Sequence, residues 1–160
     1  MLMDYVAPAR SIRIEQASLE DLETLYELER ICFGRNAYSK QFLRLLLVDP
    51  SSIPLKAVTE KGELVGSAIG RVEKIGSQVV GHVYTLDVRP DFRRRGVGAA
   101  LLKSLENEFR KLGCERAILE VAVDNEPAIR LYKLLGYTFT SRLRDYYGRG
   151  RDAYRAEKNL

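Results

Sequence analysis

The chain has 160 residues, 46% of them hydrophobic, with a formal net charge of +4. That suffices for one globular core over residues 1–160; the charge is modest for a nucleic-acid binder but suits a polyanionic ligand or an acidic partner surface. No apolar stretch approaches the roughly 20 residues of a membrane span, and the first residues lack the basic, apolar and small-residue order of a secretion signal, so a soluble cytoplasmic protein is expected.

Residues 12–17 read as a first strand. Ser18 with Asp21 three residues later is a helix N-cap arrangement, and the helix runs to about Cys32. Leu22, Leu25, Tyr26 and Glu29 fall on one side of it, an apolar face interrupted by a carboxylate, which is tolerable beside a substrate cleft. Gly34-Arg35-Asn36 breaks the pattern, Ser39 caps a second helix through Val48, and Asp49-Pro50 ends it. Residues 56–60, 64–75 and 79–88 are three β-rich runs separated by turn residues at Lys61-Gly62 and Gly76-Ser77, an antiparallel meander.

Arg93-Arg94-Arg95-Gly96-Val97-Gly98 then joins the strand-like residues 82–88 to the helix-like residues 98–112. In that context it is an anion site: the glycines let a ligand approach the backbone, and the free N–H groups of the helix's first turn, through Ala99, face it at the positive end of the dipole. The three arginines add mobile positive charge. Val97, Leu101, Leu105, Phe109 and Leu112 recur at helical spacing, and Gly113 stands at the C-cap. Residues 117–123 form a nearly unbroken apolar run, as expected for a strand covered on both faces and parallel to the one before the crossover helix. Asn125 caps a further helix with Pro127 in its first turn; Gly136 closes it, and strands at 137–144 and 152–158 flank a Tyr- and Arg-rich loop. The fold class is α/β, a mixed central β-sheet flanked by helices.

Glu120 interrupts Ile118-Leu119 and Val121-Ala122-Val123. Burial of a carboxylate there costs several kcal/mol unless it is paired, solvated or protonated, and desolvation drives its pKa toward neutrality, where it serves as a base. The alternative is a glutamate salt-bridged to Arg116 or Arg130. Tyr132 reads equally as a core aromatic among Ile129, Leu131, Leu134 and Leu135, Asn125 as only a cap, and His82, the one histidine, as structural. Strand alternation places His82, Tyr84 and Leu86 together and Asp87 opposite. Cys32 and Cys114 lie far apart, with no Cys or His at metal-ligand spacing and no neighbouring base, so reduced thiols, no metal site and no acyl-enzyme are expected.

Arg93 to Gly98, with the strand ending Leu86-Asp87-Val88 before it, resembles the RxxGxG/A loop of the GCN5-related N-acetyltransferase (GNAT) superfamily. Leu119-Glu120-Val121, Asn125, Ala128-Ile129, Leu131-Tyr132 and Leu135-Gly136-Tyr137 resemble its RimI-type branch of N-terminal α-amino acetyltransferases, as do Tyr146-Tyr147 and Asp152-Ala153-Tyr154. Together the matches span roughly residues 80–155.

The resemblance implies a GNAT fold with an acyl-coenzyme A cleft where the central strands splay, and direct transfer from acetyl-CoA to a protein or peptide N-terminus. It implies pyrophosphate on the N–H groups of Arg94 to Ala99, pantetheine paired to Leu86 and Val88 and touching Asn125, and a thioester carbonyl polarised near Val88. Glu120 is implied as general base, Tyr132 as the acid for the departing thiolate, and His82 as a proton relay. Phe33, Tyr38, Tyr146 and Tyr147 would hold the peptide. Two departures stand out. Asp87 replaces a residue commonly small or apolar, and residues 33–38 lack the proline and acidic residue often found in relatives, so substrate selectivity does not carry over. Lysine or small-amine acetylation is the rival within enzymes. Outside them, Arg142, Arg144, Arg149, Arg151 and Arg155 could form a nucleic-acid edge toward a ribosomal protein substrate, against the plainer reading of a solvated basic hairpin.

Overall fold

The computed structural model describes residues 11–160; the reading of the chain's first residues as free of a secretion signal lies, for residues 1–10, outside the described residues. Seven strands, β1 (Ile12–Gln16), β2 (Ser52–Thr59), β3 (Leu64–Ile75), β4 (Gln78–Val88), β5 (Arg116–Ala122), β6 (Thr138–Leu143) and β7 (Ala153–Asn159), form one mixed sheet in the order β1-β2-β3-β4-β5-β7-β6. The meander is antiparallel through β4, and β5 runs parallel to β4. The last hairpin folds back so that β7 lies between β5 and β6, which sets Arg155 opposite Glu120.

β2 begins earlier than the sequence pattern predicts, and Pro54 lies inside it. The proline is accommodated because its carbonyl accepts the N–H of Ala17, just past the end of edge strand β1, so its missing N–H falls where the edge stops.

Four helices cover the sheet: α1 (Leu22–Phe33), α2 (Lys40–Val48), α3 (Val97–Lys111) and α4 (Glu126–Leu134). α3 supplies Leu101, Leu102, Leu105 and Phe109 to the main core, against Val65, Ala68, Val83, Ala117 and Leu119 of the sheet, and Tyr132 of α4 joins them. On the other face Leu22, Leu43 and Leu46 of α1 and α2 pack on Ile69. Gly81 explains how α3 comes so close: a Cβ there would lie 2.2 Å from Phe109, so the ring takes the space a side chain would occupy. Ser18 and Asp21 form the expected capping box before α1, and Asn125 Oδ1 accepts the N–H of Ala128 at 3.3 Å. Among the described residues no helix is long and apolar enough to cross a membrane.

Candidate active site

β4 and β5 pair only from Val80 with Arg116 to Val83 with Leu119, and beyond that point they part. A cavity of about 900 Å³ opens between the separated ends, lined by β4, β5, the start of α3, α4, the end of α1 and the β6–β7 loop.

A bulge marks the divergence. Ile69 of β3 pairs with Thr85 and Gly70 with Val83, leaving Tyr84 as the extra residue of β4. It reverses the expected alternation. Asp87 shares a face with His82 and Tyr84, whereas Leu86 turns to the α3 core. Arg89 N–H bonds Val65 O at 2.8 Å, so by the antiparallel alternation Asp87 also bonds toward β3 while the peptide groups of Leu86 and Val88 point to the cleft. The expectation of Asp87 among the cofactor contacts therefore meets a residue 1% exposed, turned to Thr85 and to Glu29 of α1.

At the other wall of the opening Glu120 is gripped on every side. Oε1 lies 2.7 Å from His82 Nε2, a hydrogen bond whose direction follows the state of the imidazole, and accepts from Tyr146 Oη at 3.3 Å, while Oε2 accepts from Arg155 Nη2 at 2.7 Å and Nε at 3.0 Å. The expected partners are engaged elsewhere, Arg116 with Glu157 and Arg130 with Glu126. Burial pushes the Glu120 carboxyl up, but the hydrogen bonds and charges of His82 and Arg155 outweigh it and hold the pKa below its ordinary value. This corrects the expectation of a base raised by desolvation. His82 moves the opposite way: burial lowers it, and Glu120 and Glu73 more than compensate and raise it.

Tyr132 lines the same cavity, 6% exposed, its phenol pushed up by burial and then by Tyr147 and Asp87. Phe33, Tyr38, Asn125 and Tyr147 line it too, as do Leu86, Val88, Arg93, Arg94 and residues 96–99. His82 and Tyr146 stand behind Glu120 rather than on the lining. Arg95 lies over the Phe92 ring at 5.3 Å, and Arg93 Nε bonds Val88 O at 3.1 Å, so two of the three arginines brace the loop instead of moving freely.

The loop fits a phosphate. Arg94 and Gly96 both take left-handed conformations, with φ of 63° and 83°, and among the described residues no N–H from Arg94 to Ala99 meets a protein acceptor. A Cβ on Gly98 would sit 3.3 Å from Leu131 and 3.5 Å from Val88, filling the cradle.

Sequence reasoning passed over Glu73, noted Glu29 without giving it a role in the site, and read Arg151 and Arg155 as a nucleic-acid edge or a solvated hairpin. Glu29 Oε2 accepts the N–H of Tyr38 at 3.0 Å. Arg151 Nη1 donates to Asn36 Oδ1 at 2.5 Å and to Arg35 O at 3.3 Å, strapping the β6–β7 loop to the α1–α2 loop beside the cavity. Only Glu29, as a carboxylate on an apolar helix face, carried a sequence signal. With Arg142 on Asp152, Arg151 on Asn36 and Arg155 on Glu120, the basic hairpin has few cations left for a nucleic acid. Cys32 donates to Val88 O at 3.4 Å, and burial raises both thiols, so neither is an activated nucleophile.

The sequence profile described as the Acetyltransferase (GNAT) family matches residues 20–137. The chain is 33% identical over 154 residues, 91% of each protein, to an N-alpha-acetyltransferase of Sulfurisphaera tokodaii. Its fold is similar to the ribosomal-protein-S18-alanine N-acetyltransferase of Escherichia coli, with a TM-score of 0.79 and 25% identity over 93% of this chain and 94% of that one. It is also similar to Arabidopsis thaliana Naa50 in complex with the bisubstrate analogue CoA-Ac-MVNAL, with a TM-score of 0.81 and 25% identity over 94% and 99% of the two chains.

Proposed function

Because the chain belongs to the GNAT family of acetyltransferases, it is an acyltransferase using acetyl-coenzyme A, and we propose that its acceptor is the α-amino group at a protein or peptide N-terminus. The observation that carries this reading is the pairing of Glu120 with His82 at 2.7 Å where β4 and β5 part, with Tyr132 on the same cavity. A carboxylate held low and an imidazole raised from 6.5 make a modest base. That suffices for an α-amine, whose pKa is about 7.7 to 8.0, and falls well short of what a lysine at about 10.4 needs. The similarity to an archaeal N-alpha-acetyltransferase and to the Escherichia coli and Arabidopsis enzymes supports the same acceptor.

When bound, acetyl-coenzyme A supplies the activated thioester. The N–H groups of Arg94 to Ala99 hold its pyrophosphate at the positive end of α3. The cleft-facing peptide groups of Leu86 and Val88, with Asn125, bind the pantetheine arm, and the Val88 N–H polarises the thioester carbonyl. Glu120, backed by His82, takes the proton released by the attacking amine, and Tyr132 gives one to the leaving sulfur. Phe33, Tyr38 and Tyr147 frame the peptide, and Tyr146 holds Glu120. We take residues 1–160 as one catalytic unit working in the cytoplasm on new N-termini, a ribosomal protein among them.

The test is acetyl transfer to peptides varied in their first residue, each with a free or blocked N-terminus. Activity is expected on free N-termini alone, with Glu120→Gln and Tyr132→Phe each lowering kcat about 10²- to 10³-fold. Acetylation confined to lysine side chains or small amines sinks the assignment.

A further inference from the structure

His82 lies between two carboxylates, and only Glu120 belongs to the chemistry described so far. Its Nδ1 lies 3.0 Å from Glu73 Oε1 on β3. Glu73 is itself immobilised: Oε2 accepts from the Tyr84 hydroxyl and, at 3.5 Å, from Arg71 Nη1, while Arg71 Nε bonds Asp49 at 2.7 Å. Two residues apart on β4, His82 and Tyr84 share a face, and the Tyr84 ring lies beside the imidazole, centroids 4.3 Å apart.

A neutral imidazole has one N–H to give and one lone pair to aim. Glu120 already receives two bonds from Arg155 and one from Tyr146, whereas among the described residues Glu73 Oε1 has only His82 to accept from. The N–H is better placed on the less satisfied carboxylate. Resting on the reading of Glu120 and His82 as takers of the amine proton, we propose that Glu73 is a positioning residue. It holds the Nδ1–H tautomer of His82 and leaves Nε2 as the atom that receives the proton from Glu120.

The step balances. As the nitrogen–carbon bond forms, the amine proton passes to Glu120 and on to Nε2, while the carbon–sulfur bond breaks and Tyr132 protonates the sulfur. His82 then yields its extra proton to water, and the tyrosinate recovers one. The groups that set the imidazole's titration are Glu73 and Arg71 from β3, Tyr84 from β4 and Glu120 from β5. Arg155 of β7, Tyr146 and Asp49 act through these.

The chain's single histidine makes the test direct, because every imidazole resonance of the untagged full-length protein belongs to His82. Nitrogen and proton shifts across a pH titration should show the Nδ1–H tautomer in the neutral form. Glu73→Gln should lower the imidazole midpoint by about one pH unit, carry the acid limb of the kcat profile down with it, and reduce the plateau about 10-fold. KM for acetyl-coenzyme A should stay within about twofold, since no cofactor contact changes. In a His82→Gln background the same substitution should add no further loss, as expected for a residue acting through the imidazole. If Glu73→Gln fails to fold, Tyr84→Phe leaves Glu73 less satisfied and should move the imidazole midpoint the other way, upward by a few tenths of a pH unit. An Nε2–H tautomer in the wild type, an unmoved midpoint, or an additive loss in the double variant overturns the proposal. Failure of the N-terminal assignment would show separately, as no acetylation of free N-termini by a wild type whose imidazole still behaves as described.

Discussion

Two carboxylate clusters sit on one face of β4 and meet burial in opposite ways. Around His82, Glu120 and Glu73 are kept ionised below the ordinary carboxylate value, with Arg155, Arg71 and the imidazole as donors. Around Asp87, the partners are Glu29 and the Thr85 hydroxyl, and among the described residues no Lys or Arg nitrogen lies within ion-pair distance. There burial raises both Glu29 and Asp87, and the mutual repulsion lifts Asp87 further. Depth is the same kind of cost in both places. The donors within reach decide whether it is outweighed, leaving a charge available for chemistry, or left to drive the acid's pKa up inside a wall.

The clusters also pull stability in opposite pH directions. Glu120 and Glu73, depressed below 4.5, stabilise the fold above that value and lose the contribution as pH falls through their folded pKa. Asp87 and Glu29, raised above 3.8 and 4.5, stabilise it fully at low pH and lose the contribution as pH rises. His82 follows the second sense, its contribution fading above 6.5.

Stripping the cation from the first cluster is the sharpest way to break the contrast. In Arg155→Met, Glu120 loses two hydrogen bonds and its pKa climbs, so kcat/KM at pH 6 should fall about 10-fold, with a smaller loss at pH 8; a loss equal at both pH values would show that Arg155 only holds the strand. Neutralising the second cluster is the complementary change. Asp87→Asn removes the proton requirement, and between pH 5 and pH 8 the variant should gain about 1 kcal/mol on the wild type, read from melting curves. Parallel curves would mean that burial does not raise the Asp87 acid. Arg151→Ala touches neither cluster and should only raise peptide KM about threefold as the two loops lose their strap, with kcat and the pH profile unmoved.

Local features were legible in the sequence. Ser18 and Asn125 cap their helices as their spacing suggests, and the glycine loop opens α3 where the strand-to-helix switch placed it. Glu120 stood out because one charge in an apolar run is conspicuous. Its partner did not, because Arg155 reaches it only when β7 inserts beside β5, a pairing no local pattern contains. Arg151 and Asn36 are 115 residues apart and meet only through the fold. Asp87 was assigned to the wrong face for one reason: strict alternation has no place for an extra residue at Tyr84.

That extra residue gives β4 two phases. Before it, Gly81 and Val83 answer to α3 and the closed pairing with β5; after it, Leu86 and Val88 keep the α3 side only because the count has been reset by one. Deleting Tyr84 would therefore leave a regular ladder with Leu86 and Asp87 on their present faces, whereas absorbing it into the pairing would invert everything downstream, turning the Asp87 carboxylate into the core and Leu86 toward α1. The strand thus behaves as two modules joined at a phase slip, one paired to β5 and the other parted from it at the cleft.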